Sequence, residues 1–301
     1  MEDLPQLSVV LPVYNEGEAA APVIRALVEA IRVPCEILVV YDFDGDTTVP
    51  VARALASEFP AVKPLRNELG RGVLNAMKAG IAAARAPYVL VSMADGSDEP
   101  QVVNRMVELA RDGADVVAAS RYMKGGHQIG GPMMKRLMSR AAGLSLHWFA
   151  GVPIHDPTSN FKLYSRRFLD SVTIESTAGF ELALELSVKA TLDHRRLAEV
   201  PTTWRDRTSG TSNFKMRQWL PNYLHWYFAA IRGRFSPSRR SKYRSRGRRQ
   251  QSCDDDRAVP SMPQSQRAAG TLGGPRRDDC QELRRGGGRH RSGVRRRGRR
   301  T

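Results

Sequence analysis

The sequence predicts an α/β protein built on a mostly parallel sheet with helices on both faces. Two observations carry that prediction. Short β-branched runs recur through the first 120 residues, and amphipathic helical stretches separate them. Such strands, apolar throughout rather than alternating, belong to sheets covered on both sides. There is ample apolar material for one large core, since 41% of 301 residues are hydrophobic.

In order, Leu7 to Val13 reads as a buried strand. Ala19 to Ile31 reads as a helix with Val23, Leu27 and Ile31 on one face. Glu36 to Val40 is the second strand, followed by a helix from Val49 to Phe59. A short strand near Val62 leads to a helix from Gly72 to Ala84. Tyr88 to Ser92 and Asp115 to Ala119 are further strands, with a helix near Gln101 to Arg111 between them.

Composition excludes several classes. Cys35, Cys253 and Cys280 are odd in number and lack metal-pair spacing, so a disulfide scaffold is not expected. The histidines share no i, i+4 spacing, which argues against zinc. No apolar run reaches 18 residues, so no membrane span is expected, and the opening residues lack the basic start of a signal peptide. The expectation is a cytoplasmic protein.

The net charge of +16 is local. Residues 232–301 hold 21 Arg and one Lys against five Asp and one Glu; residues 1–231 hold 25 bases and 25 acids. The basic segment, rich in Arg, Gly, Ser and Pro, has no apolar period and is expected to be disordered. It could bind nucleic-acid phosphates or an anionic membrane. It could equally be an extension without function, even a frame-shifted terminus.

Ligands of open parallel sheets bind beyond the carboxyl ends of the strands. Tyr14-Asn15-Glu16 follows the first strand and Asp42-Phe43-Asp44-Gly45-Asp46 the second. Asp95-Gly96-Ser97-Asp98-Glu99 follows the fourth, and Ser120-Arg121-Tyr122-Met123-Lys124 the fifth. Turn and N-cap chemistry explains any one acidic loop. Three on one rim, facing a cationic loop, point instead to a metal and a phosphorylated ligand. No Walker A or Gly-x-Gly-x-x-Gly loop follows the first strand.

These loops resemble family 2 glycosyltransferases. The resemblance runs through Leu11-Pro12-Val13-Tyr14-Asn15-Glu16, Asp42 to Thr48, Gly70-Arg71-Gly72 and Ala94 to Pro100. It continues through Ser120 to Gly126, Asp156 to Phe161 and Arg205 to Ser212, the later blocks looking most like polyprenyl-phosphate (dolichyl-phosphate) mannosyltransferases. It implies a Rossmann-like GT-A nucleotide-sugar-binding fold and inverting transfer of a hexose. The implied reaction moves mannose from GDP-mannose to a polyprenyl phosphate, with Mg²⁺ or Mn²⁺ on the diphosphate. Carried over by position, Pro12, Tyr14, Glu16 and Asp42 would hold the nucleoside, and Gly70 and Gly72 would let the backbone approach the donor. Asp95 would bind the metal, with Ser97 or Asp98 as a replacement oxygen. Arg121, Arg205 and Arg207 would hold phosphates of donor or acceptor, with Lys135 a further candidate for the acceptor phosphate.

The sequence departs from the family pattern at Tyr41, where the family has the first of two aspartates, and at Met93, where it has the first Asp of Asp-x-Asp. Those departures leave open an inactive member. A family 2 enzyme using UDP-glucose or a hydroxyl acceptor is also open, with Asp156 or Glu185 as its base. The implied organisation is a catalytic domain at 1–218, an aromatic segment at 219–231 suited to a membrane interface, and the basic tail at 232–301. Met133 to Met138 and Leu144 to Phe149 could join the same face. The alternative for residues 219–231 is a last helix packed on the core. The expected location is the cytoplasmic membrane face, peripherally held, with no specific nucleic acid as partner.

Overall fold

The computed structural model describes residues 4–131, 133–177, 179, 181–206 and 216–235, with backbone alone for Lys135 and residues 216–219. The first half follows the predicted alternation to within a few residues. It comprises β1 (Leu7–Pro12), α1 (Ala20–Ala30), β2 (Cys35–Tyr41), α2 (Thr48–Glu58), β3 (Val62–Arg66), α3 (Val73–Ala83), β4 (Tyr88–Val91), α4 (Val103–Arg111) and β5 (Val116–Ser120). The second half adds β6 (His127–Ile129) and α5 (Met133–Ser145), which runs into a π-helical turn at Leu146–Ala150. Then come β7 (Lys162–Ser165), α6 (Arg166–Ser171), α7 (Leu182–Leu192), β8 (Leu197–Pro201), β9 (Thr203–Arg205) and α8 (Met216–Phe235).

Seven strands form one sheet in the order β3-β2-β1-β4-β7-β5-β8, and β6 pairs with β9 in a small second sheet. All pairings in the large sheet are parallel except those of β7, which runs antiparallel to both neighbours. Both faces are buried, and alternate residues of β1 show it. Val9 and Leu11 pack with α1, α2 and α4, whereas Val10 packs with α3, α6 and α7. Helix α3 lies so close to the sheet that a Cβ on Gly80 would stand 2.4 Å from Val10 Cγ1. Only glycine fits there.

A third cluster seats the last helix. Trp226 and Ala230 of α8 pack with Leu146, Val152, Ile154, Leu184 and Val188, and the Lys189 ammonium lies 4.9 Å from the Trp226 ring centroid. Leu220, Leu224 and Phe228, spaced by four, stay exposed along the same helix. One face of the aromatic segment therefore packs on the core, as a packed helix would, and another is exposed to solvent. Residues 236–301, most of the basic tail, lie outside the described residues.

Candidate active site

The carboxyl ends of β1, β2, β4 and β5 open on one rim. Because β7 is antiparallel, its first residue, Lys162, lies at that same rim, opposite Val91 and Ala118. The loop feeding β7 thus enters the place where the parallel strands end. A cavity of about 980 Å³ lies there, and Pro12, Tyr14, Glu16, Asp42, Gly72, Asp95, Ser97 and Arg121 all line it. Gly70 and Arg205 are not among its lining residues. Arg205 instead donates its backbone N–H to the Ser97 carbonyl at 3.1 Å, tying β9 to the acidic loop. Arg207 lies outside the described residues, as does the Lys135 side chain.

Asp42 organises one wall. One carboxylate oxygen accepts from the Gly72 N–H at 2.7 Å and the other from the Asn67 amide at 2.8 Å. Asn67, buried and absent from the sequence-based candidates, also donates to the Gly70 carbonyl at 2.7 Å and accepts from the Leu69 N–H. The loop turns through φ 96° at Gly70 and 121° at Gly72, conformations that suit glycine. Nearby, Tyr14 meets Phe43 edge-on at 6.1 Å, and the Arg71 guanidinium lies 4.9 Å from that ring's centroid. Asp46 belongs to the scaffold: it accepts from the Asn15 and Thr48 N–H groups and pins the loop after β1 to α2.

The acidic loop after β4 holds two carboxylates in unlike surroundings. Asp95 accepts from the Ser97 N–H at 3.1 Å and from the Ser97 hydroxyl at 2.6 Å. Asp98 accepts from the Ser92 hydroxyl at 3.0 Å and the Met93 N–H at 3.2 Å. Burial, and then the charge of Asp95, push the Asp98 carboxyl up to about 7. Among the described residues no group of three His, Cys, Asp or Glu could hold a metal ion alone. The donors on offer, the Asp95 carboxylate backed by Ser97 with Asp98 behind, are all oxygen and suit a hard divalent cation. Such a cation would need further oxygens from its ligand's phosphates.

At the end of β5, Arg121 is clamped by the fully buried Asp156. Arg121 Nε reaches one carboxylate oxygen at 2.7 Å and Nη2 the other at 2.9 Å, while the Arg121 N–H adds a third bond at 3.2 Å. Burial by itself would raise the Asp156 carboxyl and lower the guanidinium. Their mutual charge and hydrogen bonds win, so Asp156 falls below and Arg121 rises above its usual value. The Ser139 hydroxyl bridges this pair to Thr158. Arg121 thus presents a compensated charge to the cavity, and the other lining cations are Arg71 and Arg136. Arg136 stands one residue beyond Lys135 and was not singled out from sequence.

The two candidate bases for a hydroxyl acceptor are both engaged. Asp156 is committed to Arg121. Buried Glu185 accepts from the Glu175 and Ser176 N–H groups at 2.6 and 2.8 Å and from Lys189 Nζ at 2.6 Å. Neither lines the cavity. The rest of the wall is largely apolar: Met138, Ala142 and Leu146 from α5 and its π turn face Leu220, Leu224 and Tyr227 from α8. The one cavity thus combines charged groups with a substantial apolar lining.

Comparison with known proteins shows the family and the fold. The glycosyl transferase family 2 model matches residues 8–173. The chain is 29% identical over 227 residues to dolichol-phosphate mannosyltransferase of Pyrococcus furiosus, an alignment spanning 74% of this chain but only 63% of that relative. It is 30% identical to polyprenol monophosphomannose synthase of Mycolicibacterium smegmatis, over 77% of this chain and 89% of the relative. It is also 30% identical to undecaprenyl-phosphate mannosyltransferase of Micrococcus luteus, over 73% and 93%. Among solved structures, glucosyl-3-phosphoglycerate synthase of Mycobacterium tuberculosis, in complex with Mn²⁺, UDP and glucosyl-3-phosphoglycerate, superposes with TM-score 0.54. That match has 20% identity and covers 76% of this chain and 80% of that one. The same enzyme has been crystallised with Mg²⁺ and UDP. At such identity the likeness speaks for the fold.

Proposed function

The chain belongs to glycosyl transferase family 2 and is a glycosyltransferase, and from that premise we propose that it transfers mannose from GDP-mannose to a polyprenyl phosphate with inversion at the sugar. The observation that carries the proposal is a single cavity lined by both charged and apolar side chains. The polar rim at Asp42, Asp95 and Arg121 is continuous with the apolar wall of α5 and α8. That lining suits a ligand with a phosphate head and a long hydrocarbon chain. Mannose and a lipid phosphate are favoured over other sugars and acceptors by the names of the relatives.

The chemistry fits the engaged carboxylates. A phosphate monoester has its second pKa near 6, so its attacking oxygen is largely anionic at neutral pH and requires no general base. A hydroxyl acceptor would need one, and Asp156 and Glu185 are otherwise committed. Tyr14, Glu16 and the Asp42-anchored glycine loop would hold the nucleoside side of the donor. Asp95, steadied by Ser97, would hold Mg²⁺ or Mn²⁺, which supplies Lewis-acid stabilisation of the leaving diphosphate. Arg121 and Arg136, with Lys135 and Arg207 as further cations, would orient the acceptor phosphate and offset its repulsion of the donor. Arg205, outside the cavity lining, would act instead through its backbone tie to the acidic loop.

A lipid acceptor brings the enzyme to a membrane. No helix among the described residues is long and apolar enough to cross one. Peripheral attachment at the cytoplasmic face would use the exposed side chains of α5, the π turn and α8, with the basic residues beyond 232 drawn to anionic lipid. Helix α8 crosses the boundaries expected at 218 and 231 and lines the cavity. In this organisation the catalytic unit would therefore extend through α8, whose exposed face would serve as the interfacial segment, with the residues beyond it an accessory tail. A nucleic-acid role would place the function in that tail alone, leaving the cavity of a neutral body unused.

The test is a donor-by-acceptor assay with purified full-length protein. GDP-mannose and UDP-glucose are each offered with short polyprenyl phosphates and with polyprenols, with and without Mn²⁺. Mannosyl transfer to the phosphate alone, dependent on Mn²⁺, is expected. Transfer to the polyprenol, or from UDP-glucose only, would overturn the proposal.

A further inference from the structure

Lys162 is fully buried at the head of β7, between two central strands. An ammonium there is costly to desolvate unless its donors are satisfied. Burial pushes it down to about 7, against the opposing pull of Asp156. Its Nζ donates to the Asp156 carbonyl at 3.0 Å and also to the Ser159 carbonyl. The turn it bridges contributes Thr158, Ser159 and Asn160 to the cavity wall and carries the carboxylate that clamps Arg121. Other ties inside the turn are longer: the Ser159 N–H reaches Asp156 at 3.3 Å, and the Phe161 N–H reaches the Ser159 hydroxyl at 3.3 Å.

We propose that Lys162 is a positioning residue for the acceptor side of the site. From beneath the sheet rim its ammonium draws two carbonyls of the 156–160 turn together. That contact sets the angle at which Asp156 holds Arg121 and the distance at which Thr158 meets Ser139. Lys162 touches no ligand; it acts through the turn. The link to the acceptor rests on the lipid-phosphate reading given above, whereas the link to the turn does not.

The experiment compares full-length wild type with Lys162→Met, which keeps the length of the side chain and removes its donors. Three quantities are read: hydrogen exchange across residues 157–161, Kd for GDP, and KM for a short polyprenyl phosphate. Exchange in the turn is expected to quicken about tenfold or more, and acceptor KM to rise by a similar factor, with GDP affinity within about twofold. In a cycle with Thr158→Val the effects on acceptor KM should fail to add. Unchanged exchange in the turn overturns the proposal, as does equal weakening of donor and acceptor, the mark of general loosening. If wild type transfers nothing to lipid phosphate, the functional reading fails while the exchange result still decides whether Lys162 sets the turn. Should Lys162→Met not fold, Lys162→Gln is measured in the same way; if neither folds, the residue serves folding alone and the proposal is wrong.

Discussion

Asp156 and Arg121 lie 35 residues apart in sequence, yet three hydrogen bonds join them at the rim, to a carboxylate with no exposed surface. The loop before β7 and the end of β5 therefore behave as one unit. Asp156→Asn keeps the shape and leaves a buried guanidinium without its counter-charge, a loss of about 3–5 kcal/mol. Melting temperature should fall by roughly 10 °C, and acceptor KM should rise. The sign of the pH dependence follows from the depressed carboxyl. The stabilisation is complete above the ordinary carboxylate range near 4 and disappears as pH falls through the lower folded value. Wild type should lose stability on acidification that Asp156→Asn does not lose. Parallel acid titrations of the two proteins would sink this account.

Asp98 predicts the opposite slope. Its folded value near 7 lies above the unfolded value near 4, so between these the native state keeps a proton that the unfolded chain has released. Stability falls as pH rises across that window. Asp98→Asn can still accept from Ser92 and Met93, and it carries no charge to desolvate. Its advantage over wild type should grow from pH 5 to pH 8 by on the order of a few kcal/mol. Chemical denaturation in EDTA at those pH values reads it directly; a constant difference would refute the buried-carboxyl argument.

Asp42 anchors the glycine loop through Gly72 and Asn67, so its removal should act on donor binding through backbone placement. Asp42→Ala is expected to raise the Kd for GDP about tenfold, and Asn67→Ala to do nearly the same. The double variant should be little worse than either single, because both release one loop. Calorimetry with GDP measures all three. Full additivity would mean that Asp42 contacts the nucleoside independently of the loop.

How much of this was legible in the sequence depended on where the chemistry sat. Glu16, Asp42, Asp95 and Arg121 could be placed on one rim because each follows a strand whose apolar run declares it, and parallel strands share a carboxyl edge. Strand β7 was not visible: it has four residues and opens on a lysine, and nothing in Lys162-Leu163-Tyr164-Ser165 says that it runs backwards between β4 and β5. Missing β7 also hid the clamp of Asp156 on Arg121, since a long-range ion pair leaves no local pattern. Asn67 was missed for a related reason. Its importance comes from burial and from bonding both Asp42 and Gly70, not from any motif.

The exposed aromatic side chains make the last prediction. Trp148, Phe149 and Phe235 are 70%, 63% and 74% exposed, and a bond of 3.1 Å from Arg234 to the Trp148 carbonyl joins the π turn to the end of α8. The basic tail continues from Phe235, so apolar wedge and positive charge are adjacent along the chain. Aromatic groups favour the headgroup zone regardless of lipid charge, whereas the tail acts only on anionic lipid and weakens with salt. Trp148→Ser with Phe149→Ser should leave the melting temperature unchanged and lower partitioning onto vesicles about tenfold at any ionic strength. Truncation after Phe235 should remove only the salt-sensitive part. Partitioning that ignores both changes would show that this face does not meet the bilayer; binding restored to the truncated protein by RNA is not expected, because the charge that RNA would require has gone with the tail.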